Sequence, residues 1–430
     1  MMRIEKSSAL LKERYTYLEH ASGLPIYVFP KQMTGTYALF AVRYGSLDSE
    51  FSVNNAPMQT VPDGIAHFLE HKLFEAPDGS DAFARFSALG ADANAYTDYT
   101  KTAYLFGCTD RFDEVLEELL TFVTQPHFTE ESVKRERGII AEELRMYEDS
   151  PWERGYQNLL LALYHKHPVR KNIGGTVKSI QKITPQRLYD CYRTFYRLSN
   201  MALVVCGNVS AEQVLAVADR VLPKQKGEDV LIRRAMPQEP NTVAKEYIEA
   251  QMQVSKPIFF IGVKDPVTPS LAADRLRRDL AMTLLNEILF SQSEAFYAEL
   301  FEEGLITPSF THGYSSAEGF GFNCISGESD RPKEVLERLQ AYLEQVKQTG
   351  LSKEAFERCR RVLYSDEVRA YDSTEEIANR LLSFAFDGSE LFDVPGVLQS
   401  LTQEELETIL RDFYVPSSFS MSVILPHEKK

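Results

Sequence analysis

Basic charge is in short supply in this 430-residue chain: 47 lysines and arginines stand against 62 aspartates and glutamates, a formal net charge of −15. Phosphate backbones are bound through basic surfaces, so nucleic acid is excluded as a general partner. Cysteine is sparse as well. The five, Cys108, Cys191, Cys206, Cys324 and Cys359, are scattered, odd in number and form no Cys-x-x-Cys pair. They read as reduced thiols of a cytoplasmic protein and offer no metal site of their own. Long apolar runs are missing: residues 1–15 carry Lys6, Lys12 and Arg14 beside Glu5 and Glu13, so neither a signal peptide nor a membrane span is expected. There is no Walker loop, and Gly319-Phe320-Gly321 is too short and strand-like for a dinucleotide fingerprint. What remains is 44% hydrophobic and 25% charged, the balance of a globular chain long enough for more than one domain. Its acidity permits a preference for basic peptides through long-range attraction.

Against that background one run stands out, Asp63-Gly64-Ile65-Ala66-His67-Phe68-Leu69-Glu70-His71-Lys72-Leu73-Phe74. His67 and His71 stand at i and i+4, so a helix presents both imidazoles to one point, which is zinc-ligand spacing. Glu70 reaches the same space as a base toward a metal-bound water. The order His-x-x-Glu-His is the inverzincin signature. A merely solvated face is the competing reading, but Phe68, Leu69, Leu73 and Phe74 bury the helix on several sides. Burying two imidazoles and a carboxylate without partners costs several kcal/mol per ionised group.

The chain also reads as an internal duplication. His67-Phe-Leu-Glu-His-Lys-Leu-Phe74 aligns with Thr283-Leu-Leu-Asn-Glu-Ile-Leu-Phe290, and helical patterns follow both, at 81–89 and 294–303. Residues 102–108 align with 318–324, 114–119 with 334–339, and 131–137 with 354–360, in the same order. Strands are expected at 24–29, 37–44, 102–108 and 201–206 in the first copy, and at 258–263, 319–325 and 419–424 in the second. The expected fold is α+β: two homologous α/β sandwich domains, mostly antiparallel sheet with helices packed on it, over 1–223 and 243–430. The polar stretch 224–242, with Gly227, Pro237 and Pro240, reads as a linker and hinge. Thr283, Asn286 and Glu287 replace His67, Glu70 and His71, so one metal site per chain is expected.

A catalytic zinc needs a third protein ligand. The richest candidate segment is 131–147, helical despite Gly138, in which Glu136 and Glu143 share a face and Glu142 lies about 100° round from Glu143. On composition alone an acidic solvated face is the favoured reading of this segment. His165 and His167, beside Pro168, read as surface or turn residues.

His67-x-x-Glu70-His71 followed by Glu136-Arg137 and Glu143 resembles the pitrilysin family of zinc peptidases, M16, which includes insulysin and the mitochondrial processing peptidases. The similarity spans nearly the whole chain: Gly23-Leu24, Gly45-Ser46, Asn94-Ala95-Tyr96-Thr97, His167-Pro168, Tyr196 and Asn200-Met201 all resemble family landmarks, most closely those of its short bacterial members. The resemblance implies His67, His71 and Glu143 as zinc ligands and Glu70 as general base. It further implies Glu136 as the carboxylate behind a ligand, and Asn94 and Ala95 as the edge along which an extended peptide binds. It implies a Zn2+ cofactor, a peptide substrate and a fold forming half of a clamshell. In one respect the sequence departs from the family. Where members carry an arginine and a tyrosine in the inactive copy, this chain has Glu299-Leu-Phe-Glu-Glu-Gly-Leu-Ile-Thr-Pro-Ser309, with Phe301 in the arginine's place. One oxyanion donor is worth about 2.7–4 kcal/mol of transition-state stabilisation. A related M16 subunit, or a second copy, is therefore expected to supply those groups, with Tyr314 as an internal substitute to consider. The competing function is a peptide-binding or structural subunit without catalysis.

Overall fold

The computed structural model describes residues 2–76, 79–228 and 230–427. It divides into two compact units that interleave along the chain. The first comprises Met1–Leu144, Asn172–Ala235 and Val368–Phe392; the second comprises Arg145–Lys171, Met236–Glu367 and Asp393–Lys430. The expected boundaries at 223 and 243 follow the duplication, whereas the units each include a helix from the opposite copy's stretch of sequence.

The first unit is built on a seven-stranded sheet of β1 (Arg3–Ser8), β2 (Glu13–Glu19), β3 (Pro25–Pro30), β4 (Thr36–Val42), β5 (Asp92–Thr97), β6 (Thr102–Cys108) and β7 (Met201–Gly207). Its spatial order is β1-β2-β3-β7-β4-β6-β5, with β5 at an edge. All pairs are antiparallel except β3 with β7. Successive side chains of a strand point to opposite faces. In β4, Ala38, Phe40 and Val42 join the core holding Phe68 and Leu69, while Leu39 and Ala41 join a second core with Ile377, Ala378, Leu381 and Leu382 of the helix Thr374–Asp387. Burial on both faces explains why β4 is a continuous apolar run.

The second unit holds β8 (Tyr247–Met252), β9 (Ile258–Lys264), β10 (Thr311–Ala317), β11 (Phe320–Glu328) and β12 (Phe419–Pro426), ordered β8-β12-β9-β11-β10. Its one parallel pair is β8 with β12. That order and that parallel pair repeat β3-β7-β4-β6-β5 of the first unit strand for strand, so the duplication is visible in the topology. The helix Pro151–Leu163 packs on β9 and β12, where Trp152 meets Phe260 edge-on at 5.6 Å.

The stretch 224–242 contains Asp229, which lies outside the described residues, and parts of the remainder are tied down. Ile232–Arg234 pairs with Glu50–Val53 in the first unit. In the second, Glu239 accepts hydrogen bonds from the backbone N–H groups of His165, Lys166 and His167 and from Lys264. Among the described residues no helix is long and apolar enough to cross a membrane.

Candidate metal centre

The centre lies within the first unit, where α1 (Ile65–Leu73) meets α2 (Glu130–Asp149). The start of α1 is set by backbone conformation. Gly64, its N-cap, has φ +90°, and a Cβ there would lie 2.2 Å from the carbonyl oxygen of Gly174. Gly175, with φ +77°, approaches the carbonyl of Asp63 so closely that a Cβ would lie 2.3 Å from it. Only glycine combines a left-handed φ with so close an approach. From this start Ile65, Ala66, Phe68, Leu69 and Leu73 enter the core, which leaves His67 and His71 together on the remaining side, ring centroids 4.6 Å apart.

A reciprocal cap between Thr129 and Ser132 opens α2, and Val133, Ile140 and Leu144 bury one side of it. Glu136 and Glu143 thereby face α1. The Nε2 atoms of His67 and His71 lie 3.6 and 3.4 Å from the two carboxylate oxygens of Glu143. Among the described residues, His67, His71 and Glu143 form a group of donors all within 4.8 Å of one another. Tetrahedral ligands about 2.0–2.1 Å from zinc stand about 3.3 Å apart, so these spacings and this donor set fit that ion. Glu136 Oε1 is 3.1 Å from His71 Nδ1, which leaves His71 Nε2 for the centre. Among the described residues no such partner holds His67: its Nδ1 is buried without a hydrogen bond and packs against Gly174.

Charge concentrates here. Burial opposes a proton on His71, but the Glu136 hydrogen bond and the charges of Glu70, Glu136 and Glu143 outweigh it, and its pKa is raised. Lys72, fully buried, pairs with Glu75 and lies 3.7 Å from Glu136. Burial would raise the Glu75 pKa, yet Lys72 and Arg135 lower it. Glu70 is 8% exposed and accepts a 2.6 Å hydrogen bond from Thr97 of β5. Beside it opens a cavity of about 530 Å³, bordered by Glu70, His71, Asn94, Ala95 and the stacked rings of Phe74 and Phe83, 4.2 Å apart. The Asn94 side chain accepts the N–H of Ala95 at 2.9 Å.

His67 and His71 are thus brought together with Glu143, while Glu70 and His71 border one cavity with Glu136, Asn94 and Ala95. The sequence reading missed Lys72, Glu75 and Thr97. The i, i+3 spacing of Lys72 and Glu75 was an available signal; Thr97 stands in a family landmark, but its contact with Glu70 was not legible, because β5 is an edge strand of alternating small and polar residues.

His167 departs from the surface reading. It sits in a turn as expected, but at 1% exposure, and burial, with Lys264 nearby, lowers its pKa to about 4. In the degenerate copy the residue at the Glu70 position makes neutral contacts. Asn286 and Asn323 exchange two hydrogen bonds at 2.8 and 2.9 Å, both fully buried, and Tyr414 joins them. Tyr314 donates its hydroxyl to Asp265 at 2.6 Å, an acceptor it shares with Arg278, so its proton is already committed. Phe301 is 45% exposed.

Residues 59–177 match the family model described as insulinase, peptidase family M16, and residues 182–363 match the one described as the peptidase M16 inactive domain. The chain is 38% identical over 419 residues, 97% of each chain, to the uncharacterized zinc protease YmfH of Bacillus subtilis. It superposes on the crystal structure of an M16-like peptidase from Alicyclobacillus acidocaldarius with a TM-score of 0.93, at 35% identity over 98% of this chain and 100% of that one. The periplasmic protease PqqL of Escherichia coli shares the fold, with a TM-score of 0.73 at 18% identity over 96% of this chain and 48% of its own. With both family models and a full-length relative matched around this constellation, the chain belongs to the M16 peptidase family.

Proposed function

We propose that this chain is a zinc-dependent metalloendopeptidase acting on peptides or unfolded segments, and that a related subunit or a second copy completes its active site. The observation that carries the reading is the convergence of His67, His71 and Glu143 beside a cavity bordered by Glu70. His67, His71 and Glu143 hold the metal, and Glu136 orients the His71 ring. A zinc ion held there would supply Lewis acidity toward a water and a carbonyl. Glu70 takes a proton from the attacking water at its carboxylate and gives it to the leaving amine. An extended peptide adds along the outer edge of β5, where the Ala95 N–H becomes a ladder donor once the Asn94 carboxamide turns aside. The acidic surface favours basic peptides. Five free thiols, four of them buried, support a cytoplasmic location. The exposed Phe301 and the committed hydroxyl of Tyr314 support the need for a partner, since neither donates to an oxyanion.

The test is metal analysis combined with cleavage of an unfolded reporter peptide. Wild type should bind one zinc per chain and cleave fastest with its partner; Glu70→Gln should keep the zinc and lose cleavage; His67→Ala should lose both. Full turnover by the pure monomer would overturn the partner requirement. A zinc-bound chain inert in every combination would leave a peptide-binding subunit instead.

A further inference from the structure

We propose that Thr97 is a positioning residue for Glu70 and ties the orientation of the base to the strand that receives the peptide. The proposal rests on the peptidase reading above.

Thr97 Oγ1 donates a hydrogen bond to Glu70 Oε2 at 2.6 Å. That length is typical of a hydroxyl donating to a carboxylate, an interaction about twice as strong as a neutral one. A hydroxyl has a single proton, and the surroundings decide where it goes. Thr97 Oγ1 also lies 3.1 Å from Thr102 Oγ1, its cross-strand partner in β6. Thr102, fully buried, donates its own proton to the carbonyl of Tyr44 at 2.9 Å. The Thr102 proton is thus committed to Tyr44, which leaves the Thr97 proton for Glu70 Oε2, so one hydroxyl fixes one carboxylate oxygen of the base.

The strand is held from its other face as well. Tyr96 points away from Thr97 and hydrogen-bonds Asn379 at 3.2 Å, while Ala95 borders the cavity with Glu70 and His71. A peptide pairing with the edge at Ala95 therefore bears on the strand whose next inward side chain orients the base.

Thr97→Val removes the donor and keeps the shape; Thr97→Ser keeps the donor. Measured on the zinc-loaded protein with its partner, Thr97→Val should lower kcat about 10–100-fold, the range expected for one hydrogen bond to a charged group. KM and zinc affinity should stay within about twofold, and Thr97→Ser should restore most of kcat. A crystal structure of Thr97→Val should show the Glu70 carboxylate rotated or spread over several positions. Unchanged kcat in Thr97→Val beside an active wild type would overturn the proposal while leaving the peptidase reading intact, as would a loss that Thr97→Ser fails to restore. An inactive wild type would instead refute the peptidase reading, and the Glu70 position in the variant crystal would then decide the positioning role alone: an unmoved carboxylate overturns it.

Discussion

Replacing Glu136 by glutamine tests the centre at one remove from the metal. The amide has the shape of the carboxylate and can still accept from His71 Nδ1, 3.1 Å away, so the perturbation is the loss of a charge. A ligating imidazole is neutral, so the Coulomb energy of two unit charges is the wrong measure; what disappears is the extra strength of a charged acceptor. Groups that orient a metal ligand in this way are worth about 10–100-fold in affinity, or about 1.4–2.7 kcal/mol. A second effect opposes this one. Glu136 helps raise the His71 pKa, and a proton there competes with the metal, so the variant should be compared at alkaline pH, where that competition is absent. The assay is a zinc titration against a competing chelator, with Glu142→Gln as the control. Glu142 sits on the same helix but is exposed, about 100° round from Glu143. Zinc affinity unchanged in Glu136→Gln, or reduced equally in Glu142→Gln, would refute the assignment.

Three further outcomes follow from groups that the fold has fixed. His167 titrates near 6.5 in an unfolded chain and near 4 in the folded one, so the unfolded chain takes up the proton first. Stability is intact above about pH 6.5 and falls by up to about 3 kcal/mol as pH drops toward 4. Urea unfolding from pH 8 to pH 4 should show this slope and show it flattened in His167→Gln; parallel curves would contradict it. Gly175→Ala places a Cβ against the Asp63 carbonyl at φ +77° and should cost at least about 1–3 kcal/mol while weakening zinc binding, because that contact launches α1. Gly138→Ala, open to solvent within α2, should instead stabilise by about 0.5–1 kcal/mol; thermal unfolding separates the two.

The sequence by itself determined whatever a local period carries. The i, i+4 spacing of His67 and His71 and the burying residues between them need only a helix, and a helix was all that α1 had to supply. The apolar strands β4, β6, β7, β9, β11 and β12 were legible because burial on a sheet leaves a run of hydrophobic residues. The duplication was legible because the same runs recur in the same order. Tertiary structure decided what depends on two distant segments meeting. Glu143 and Glu142 are alike in composition, and only the packing of Val133, Ile140 and Leu144 turns the former toward α1. β5 is an edge strand half open to water, so it carries no hydrophobic signature, and its contacts to Glu70 and to the Thr374–Asp387 helix appear only once the sheet is assembled. The interleaved units were likewise out of reach, since an amphipathic helix specifies the width of the face it buries but not which of two homologous sheets will cover it.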